Sequence, residues 1–440
     1  MLKLKMKSLY LALMAGFGAA GMASSASAVN VDANGFGQVL IYPYYSVRQG
    51  LDTYISLTNS SNDYKAIRVR FNEGKNGRPV LGFNLYLSPF DTWTAAIVST
   101  SIGARILTAD RSCTVPQIPS VGQNFVNYAY SGVALDGEVQ GLDRTREGFV
   151  EIIEMGVIIN TADQNAIKQL NGIPTNCGAL QSLRMDTNAG VHAAAPPRGG
   201  LTGNAALLNA STGTEFTYDA TALDNFSRVN IWYDAGNLLP DLRSATPVSD
   251  VYFARTNVRD SWTPGTAQAV TAVLMHNQVV NDYLLDMATL SGTDYVITMP
   301  TKHYNVPVYN PTSLTVPPIK PPFTKRFWTR GACEPVSLSA RNREASGMSP
   351  LGSTLCWEST VLTFNNSQVL GSRNAVNIPT TYQNGFATIS LNGLGHTLVN
   401  PISHRTYSGL PVIGFAVQDS SYISSQFGGI FTHKYKTDIH

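Results

Sequence analysis

Residues 66–71 (AIRVRF) put Ile67, Val69 and Phe71 on one side of an extended chain and Arg68 and Arg70 on the other. A period of two implies a strand with one face buried and one face wet, as in an antiparallel sheet. Four more strand candidates, 38–45, 52–58, 81–87 and 92–98, crowd into the same region, separated by turn-rich pieces such as 59–63 (NSSND) and 74–77 (GKNG). Further strands are expected at 148–155, 204–208, 229–233, 251–254, 269–275, 294–299, 353–364, 386–391 and 411–417. Only 163–170 and 177–183 read as helix, and no strand–helix–strand alternation is visible. The pattern predicts an all-β chain of immunoglobulin-like antiparallel β-sandwich domains, with long loops and a few short helices.

Two stretches punctuate this pattern. Residues 189–200 are small and rich in Pro and Gly, and 306–322 hold six prolines that favour extended polyproline. They suggest an N-terminal sandwich over 29–198 and a C-terminal β-rich region over 199–440, with the Pro-rich segment inside the second.

The N-terminus has the three-part form of a secretory signal. Lys3, Lys5 and Lys7 precede an uncharged apolar run over 8–22, and Ala26-x-Ala28 offers small residues to a signal peptidase. The expected cleavage after Ala28 makes 1–28 a signal peptide and leaves no transmembrane anchor. The apolar run is shorter than the ~20 residues that a spanning helix needs. Cleavage lowers Lys plus Arg from 31 to 28 against 29 Asp plus Glu, so the exported chain carries a net charge of −1. That balance gives no general attraction to nucleic acid.

Export changes how the cysteines read. Cys113, Cys177, Cys333 and Cys356 are an even set in an oxidising compartment and predict two disulfides. Of the three pairings, the sequence-local Cys113–Cys177 and Cys333–Cys356 are favoured. A zinc site usually draws on cysteines two to four residues apart, and no such pair exists.

Several phrases carry a resemblance: GQVLIYPYYSV at 37–47, EGKNGRPVLGFNLYLSPFDTWTAAI at 73–97, RTREGFVEIIEMG at 144–156 and GTDYVITMPTKHYNV at 292–306. Together they resemble a family of uncharacterised secreted proteins of Gram-negative bacteria. The resemblance implies an exported bacterial protein and transfers no activity and no functional residue.

Motifs for hydrolysis, metal-dependent proteolysis, phosphate cradling and dinucleotide binding are missing. Paired carboxylates still deserve a test, because a glycosidase needs two of them facing one sugar. Glu147 and Glu151 should share one strand face and Glu154 the other, a geometry better suited to solvent-facing or Arg-paired carboxylates near Arg144 and Arg146. The seven histidines lack ligand spacing; His396 with His404 is the one conceivable metal pair, and His303 reads as a strand-end surface residue. Tyr42, Tyr44 and Tyr45 are candidate binding aromatics, with strand packing as the plainer account.

These features lead to an exported cell-surface or extracellular structural or interaction protein, adhesive or filament- or matrix-forming, and without catalysis. Its expected partners are other copies of itself or surface glycans and proteins, with no cofactor, no metal and no catalytic residue assigned. The alternatives are a secreted or periplasmic glycan-active hydrolase using Glu147, Glu151 or Glu154, and a carbohydrate-binding module.

Overall fold

The alternating segment becomes the strand Lys65–Glu73, paired antiparallel with Glu147–Ile158 and Pro79–Leu87. The computed structural model describes residues 27–180, 194–307, 317–327, 331–393, 395–422 and 425–440. Most of the signal peptide, the middle of the Pro-rich segment and the second half of the helix expected at 177–183 lie outside the described residues. Among the described residues no helix is long and apolar enough to cross a membrane.

Two pairs of sheets carry the molecule. An eight-stranded sheet runs Asn30–Val31, Thr221–Asp224, Val39–Ser46, Glu147–Ile158, Lys65–Glu73, Pro79–Leu87 and Cys113–Val115, with Ala194–Ala195 beside Glu147–Ile158. It shares one core with a six-stranded sheet, Thr214–Asp219, Leu201–Asn209, Asp52–Asn59, Thr92–Ser99, Ala104–Leu107 and Gln123–Asn124. The C-terminal half pairs two five-stranded sheets. One runs Leu351–Leu355, Glu334–Asn342, Asn384–Ser390, Gln278–Leu284, Lys434–Lys436; the other runs Ala375–Ile378, Ser359–Phe364, Gly292–Thr298, Ile413–Tyr422, Ser425–Thr432. The chain is therefore all-β and sandwich-built, as its patterning predicts. Eight strands facing six is a larger sandwich than the seven-stranded immunoglobulin constant type.

The halves are packed against each other through the Gly292–Thr298 sheet. Val296, Val361 and Phe415 enter the N-terminal core, while Tyr295, Ile297 and Leu362 enter the C-terminal one. Both faces of this sheet are covered, which is why Gly292–Thr298 is buried at every position. The boundary expected at 198/199 is not where the sheets divide. Leu201–Asn209, Thr214–Asp219 and Thr221–Asp224 all pair within the N-terminal sheets, because Asp52–Asn59 and Val39–Ser46 need partners that the first 198 residues do not supply.

The wet face expected for Arg68 and Arg70 is also corrected. Both are buried beneath the segment that follows Thr221–Asp224. Arg68 donates to the carbonyls of Ala235 and Asn237, and Arg70 to those of Leu238 and Pro240. A buried guanidinium needs such acceptors to offset its desolvation.

Three element assignments change. Residues 269–275 read as strand, yet Gln268–Val273 is a fully packed helix; a short apolar run has no period that separates the two. Residues 229–233 form no strand, although Trp232 is fully buried there. The stretch 353–364 is two strands, Leu351–Leu355 and Ser359–Phe364, interrupted at Cys356.

Both expected disulfides are formed, Cys113–Cys177 and Cys333–Cys356. The second closes a span of 23 residues. Replacing Cys333 and Cys356 together by serine should cost about 3 kcal/mol by chain-entropy reasoning, read as a lower urea midpoint.

Burial also sets a pH response. Asp294, fully buried, accepts from Leu370 N at 2.8 Å and Ser367 Oγ at 3.3 Å, and burial pushes its carboxyl up to about 6. A folded-state value above the unfolded one makes the native state hold the extra proton between about pH 4 and 6, so stability falls as pH rises through that window. Asp294→Asn is expected to flatten this part of the curve in thermal melts taken at half-unit pH steps.

Candidate functional site

The candidate binding tyrosines are core residues, in line with the plainer account of strand packing. Tyr42, Tyr44 and Tyr45 are all 0% exposed and belong to the N-terminal core. Their hydroxyls are spent inside: Tyr42 donates to Ser56 O, Tyr44 to Glu147 Oε2 and Tyr45 to Thr145 O. Tyr44 and Tyr45 reach the same core although neighbours on a strand should diverge. The pairing passes from Tyr45↔Gly148 to Tyr42↔Val150, so one extra residue bulges on the tyrosine strand and resets its faces.

The three glutamates are also interior. Glu147 Oε1 takes a 2.7 Å hydrogen bond from Arg48 Nε, and Oε2 accepts from Ser372 Oγ. Glu151 lies 3.2 Å from Arg70 Nε, and Glu154 lies 2.7 Å from Lys65 Nζ. Burial raises the Glu151 and Glu154 carboxyls, against the opposing pull of Arg70 and Lys65. Neither the solvent-facing placement nor pairing with Arg144 and Arg146 holds; the partners are Arg48, Arg70 and Lys65. Arg144 instead holds Glu73 and Asp136, and Arg146 holds Asp143. Glu151 and Glu154 are sealed from any sugar, so they cannot flank one.

The histidines separate likewise. His396 is buried between Glu334 Oε2 (3.0 Å) and Leu391 O (2.9 Å), whereas His404 is exposed. His303 is not a strand-end surface residue. It sits in the short helix Lys302–Asn305 with Nδ1 2.7 Å from Glu358 Oε1. No group of three or more His, Cys, Asp or Glu among the described residues could hold a metal.

One of several open cavities is a groove of about 590 Å³ where the two halves meet. Pro43, Thr202, Gly203 and Tyr218 of the N-terminal sheets line one side. Ile413, Phe415, Thr432 and Tyr435 of the C-terminal sheets line the other. Gly203 is required there: a Cβ would stand 2.0 Å from the Tyr42 hydroxyl and 2.5 Å from Ser56 O. Tyr218 stacks on Phe415 at 4.6 Å, closing the groove between the halves. His276 stacks on Tyr435 at 4.3 Å with Nδ1 3.0 Å from Thr437 Oγ1, and burial pushes its imidazole down to about 4, leaving it neutral.

Over this groove hangs the hairpin Val248–Phe253/Thr256–Ser261. Its two-residue turn, Ala254–Arg255, has positive φ at both residues, the backbone twist that suits a tight hairpin. Val251 points into the core and Tyr252 points out, 72% exposed. No Lys or Arg lines the groove, while Asp32, Asp219 and Asp250 do. Asp250 pairs with exposed Arg259 at 2.9 Å, and Asp32 Oδ1 is used by Asn34 N and Phe36 N. Asp219 has no side-chain partner among the described residues. Sequence patterning lists neither Tyr252 nor Asp219 as a site residue; the one available signal is the in–out alternation of 251–252.

Searches of family models, curated proteins and solved structures find no match to this chain.

Proposed function

We propose that this chain is an exported, non-catalytic interaction protein of the cell surface or extracellular matrix. The observation that carries the reading is where the polar chemistry sits. Glu147, Glu151 and Glu154 are locked in buried ion pairs, while the groove between the halves is open and lined by hydroxyls, aromatic rings and carboxylates. Such a groove suits binding: a concave, partly apolar site with a few oriented polar groups. A general acid would need access to its substrate and a pKa near the working pH. The matrix-forming branch draws on the eight-residue strand Ser425–Thr432, which ends its sheet and exposes Phe427 and Phe431. The strand packs along Thr214–Asp219, where a Cβ at Gly428 would stand 2.3 Å from the Phe216 ring, so the exposed phenylalanines rather than a free edge are what a second chain could meet.

The test is cell fractionation with surface proteolysis and N-terminal sequencing, followed by electron microscopy of cells. The reading expects protein outside the cytoplasm that begins at Val29. Protein confined to the cytoplasm with residues 1–28 intact would sink it.

A further inference from the structure

We infer that the inter-sandwich groove binds a neutral, hydroxyl-rich polysaccharide of hexose units; this rests on the interaction-protein reading and names its ligand class. Charge makes the first selection. Asp250 is balanced by Arg259, but Asp32 and Asp219 face the groove with no lining Lys or Arg, so uronic, sulfated and nucleic polymers are disfavoured. Shape and polarity make the second. At about 590 Å³ the groove is sized for a few sugar rings, and the hydroxyls of Thr202 and Thr221 interrupt its apolar surface, which disfavours a lipid.

The third selection is local geometry. A hexose ring presents an apolar C–H face and an equatorial rim of hydroxyls. The Tyr252 ring, stacked on no other ring in the described residues, offers the aromatic surface for such a face. A free carboxylate accepts from two donors at once, and Asp219 is the groove carboxylate with no internal partner to displace. Tyr252 and Asp219 come from different sheets and both line the groove. Cationic peptides would also answer to the aspartates and, through cation–π contact, to the Tyr252 face; the hydroxyl-lined walls favour a sugar, and the peptide becomes an outcome of the test.

The test is affinity electrophoresis of the full secreted chain in gels cast with dextran, galactomannan or hydroxyethylcellulose, with alginate gels and a fluorescent oligolysine titration beside them. At least one neutral polymer should retard the protein. Tyr252→Ala and Asp219→Asn should each weaken that retardation about tenfold, while Arg373→Ala, outside the groove, leaves it unchanged. Tyr252 and Asp219 are exposed, so melting temperature should hold and separate lost binding from lost folding. The inference is overturned if all three neutral polymers are silent, if retardation survives both substitutions, or if only oligolysine or alginate binds. Cell location is read independently, so export can stand while this ligand assignment falls.

Discussion

Arg144→Leu is expected to lower stability by about 5 kcal/mol at pH 7, because one guanidinium serves two buried carboxylates. Arg144 Nε and Nη2 reach Glu73 at 2.7 and 2.8 Å, and Nη1 and Nη2 reach Asp136 at 2.9 and 2.5 Å. The three side chains are 0% exposed, and the guanidinium lies 4.2 Å over the Tyr130 ring. Glu73 also accepts from the backbone N–H groups of Lys75, Asn76 and Arg78, so it anchors the turn after its own strand. Leucine would leave Glu73 without its paired cation and Asp136 with only the looser Arg78, whose Nε lies 3.8 Å away.

The pH dependence separates this mechanism from simple loss of packing. Burial alone raises Glu73 and Asp136, but Arg144 outweighs it and holds both below the usual carboxylate range. A depressed carboxylate contributes stability above its unfolded value near pH 4, and the contribution is lost as pH falls through the folded value. In Arg144→Leu the two groups escape charge by taking protons. The stability gap between wild type and variant should therefore shrink as pH drops from 7 to 4, measured by urea denaturation at both ends. A gap that stays constant would mean the loss is one of shape. Arg144→Lys should recover only part of the deficit, since an ammonium cannot fork to two carboxylates.

Sequence patterning exposes the sheets and hides what lies between them, and individual residues show why. Ile67, Val69 and Phe71 alternate because their strand has a core on one side, so that face is legible. The other face is not legible because its cover is carbonyl oxygens from 235–240, far along the chain and without a side-chain signal. The cysteine pairs are legible because each closes locally. The tyrosines mislead because a bulge is a property of two strands in register, and a single strand does not carry it. The groove gathers residues from 31–35, 202–222, 250–252 and 412–437, so no local window contains it. Its outward tyrosine leaves a local trace, yet exposed aromatic and exposed spacer look alike until the neighbouring walls are in place.

A double substitution at Lys65 and Glu154 should be far milder than either single one, and this coupling reaches the groove. Lys65 Nζ lies 2.7 Å from Glu154 Oε1 and 2.7 Å from Gly199 O, and both side chains are 0% exposed. Glu154 in turn accepts from the backbone N–H groups of Arg198 at 3.1 Å and Gly199 at 2.8 Å. Glu154→Leu strands a buried ammonium with one carbonyl and should cost about 4 kcal/mol. Lys65→Met should cost less, because the orphaned carboxyl can be neutralised by a proton and keeps two backbone donors. Lys65→Met/Glu154→Leu removes both charges and fills their space with apolar groups, so stability should return to within about 1.5 kcal/mol of wild type. The pair also clips 198–199 to the sheet just before Leu201–Asn209 carries Thr202 and Gly203 into the groove wall. Backbone bonds Gly37 N to Leu201 O and Leu201 N to Gly37 O, at 2.9 and 3.0 Å, hold the same corner independently. The double variant should therefore keep polysaccharide retardation while the Glu154→Leu single loses it in step with its stability. A double variant that folds and fails to bind would assign the ion pair a direct part in shaping the groove.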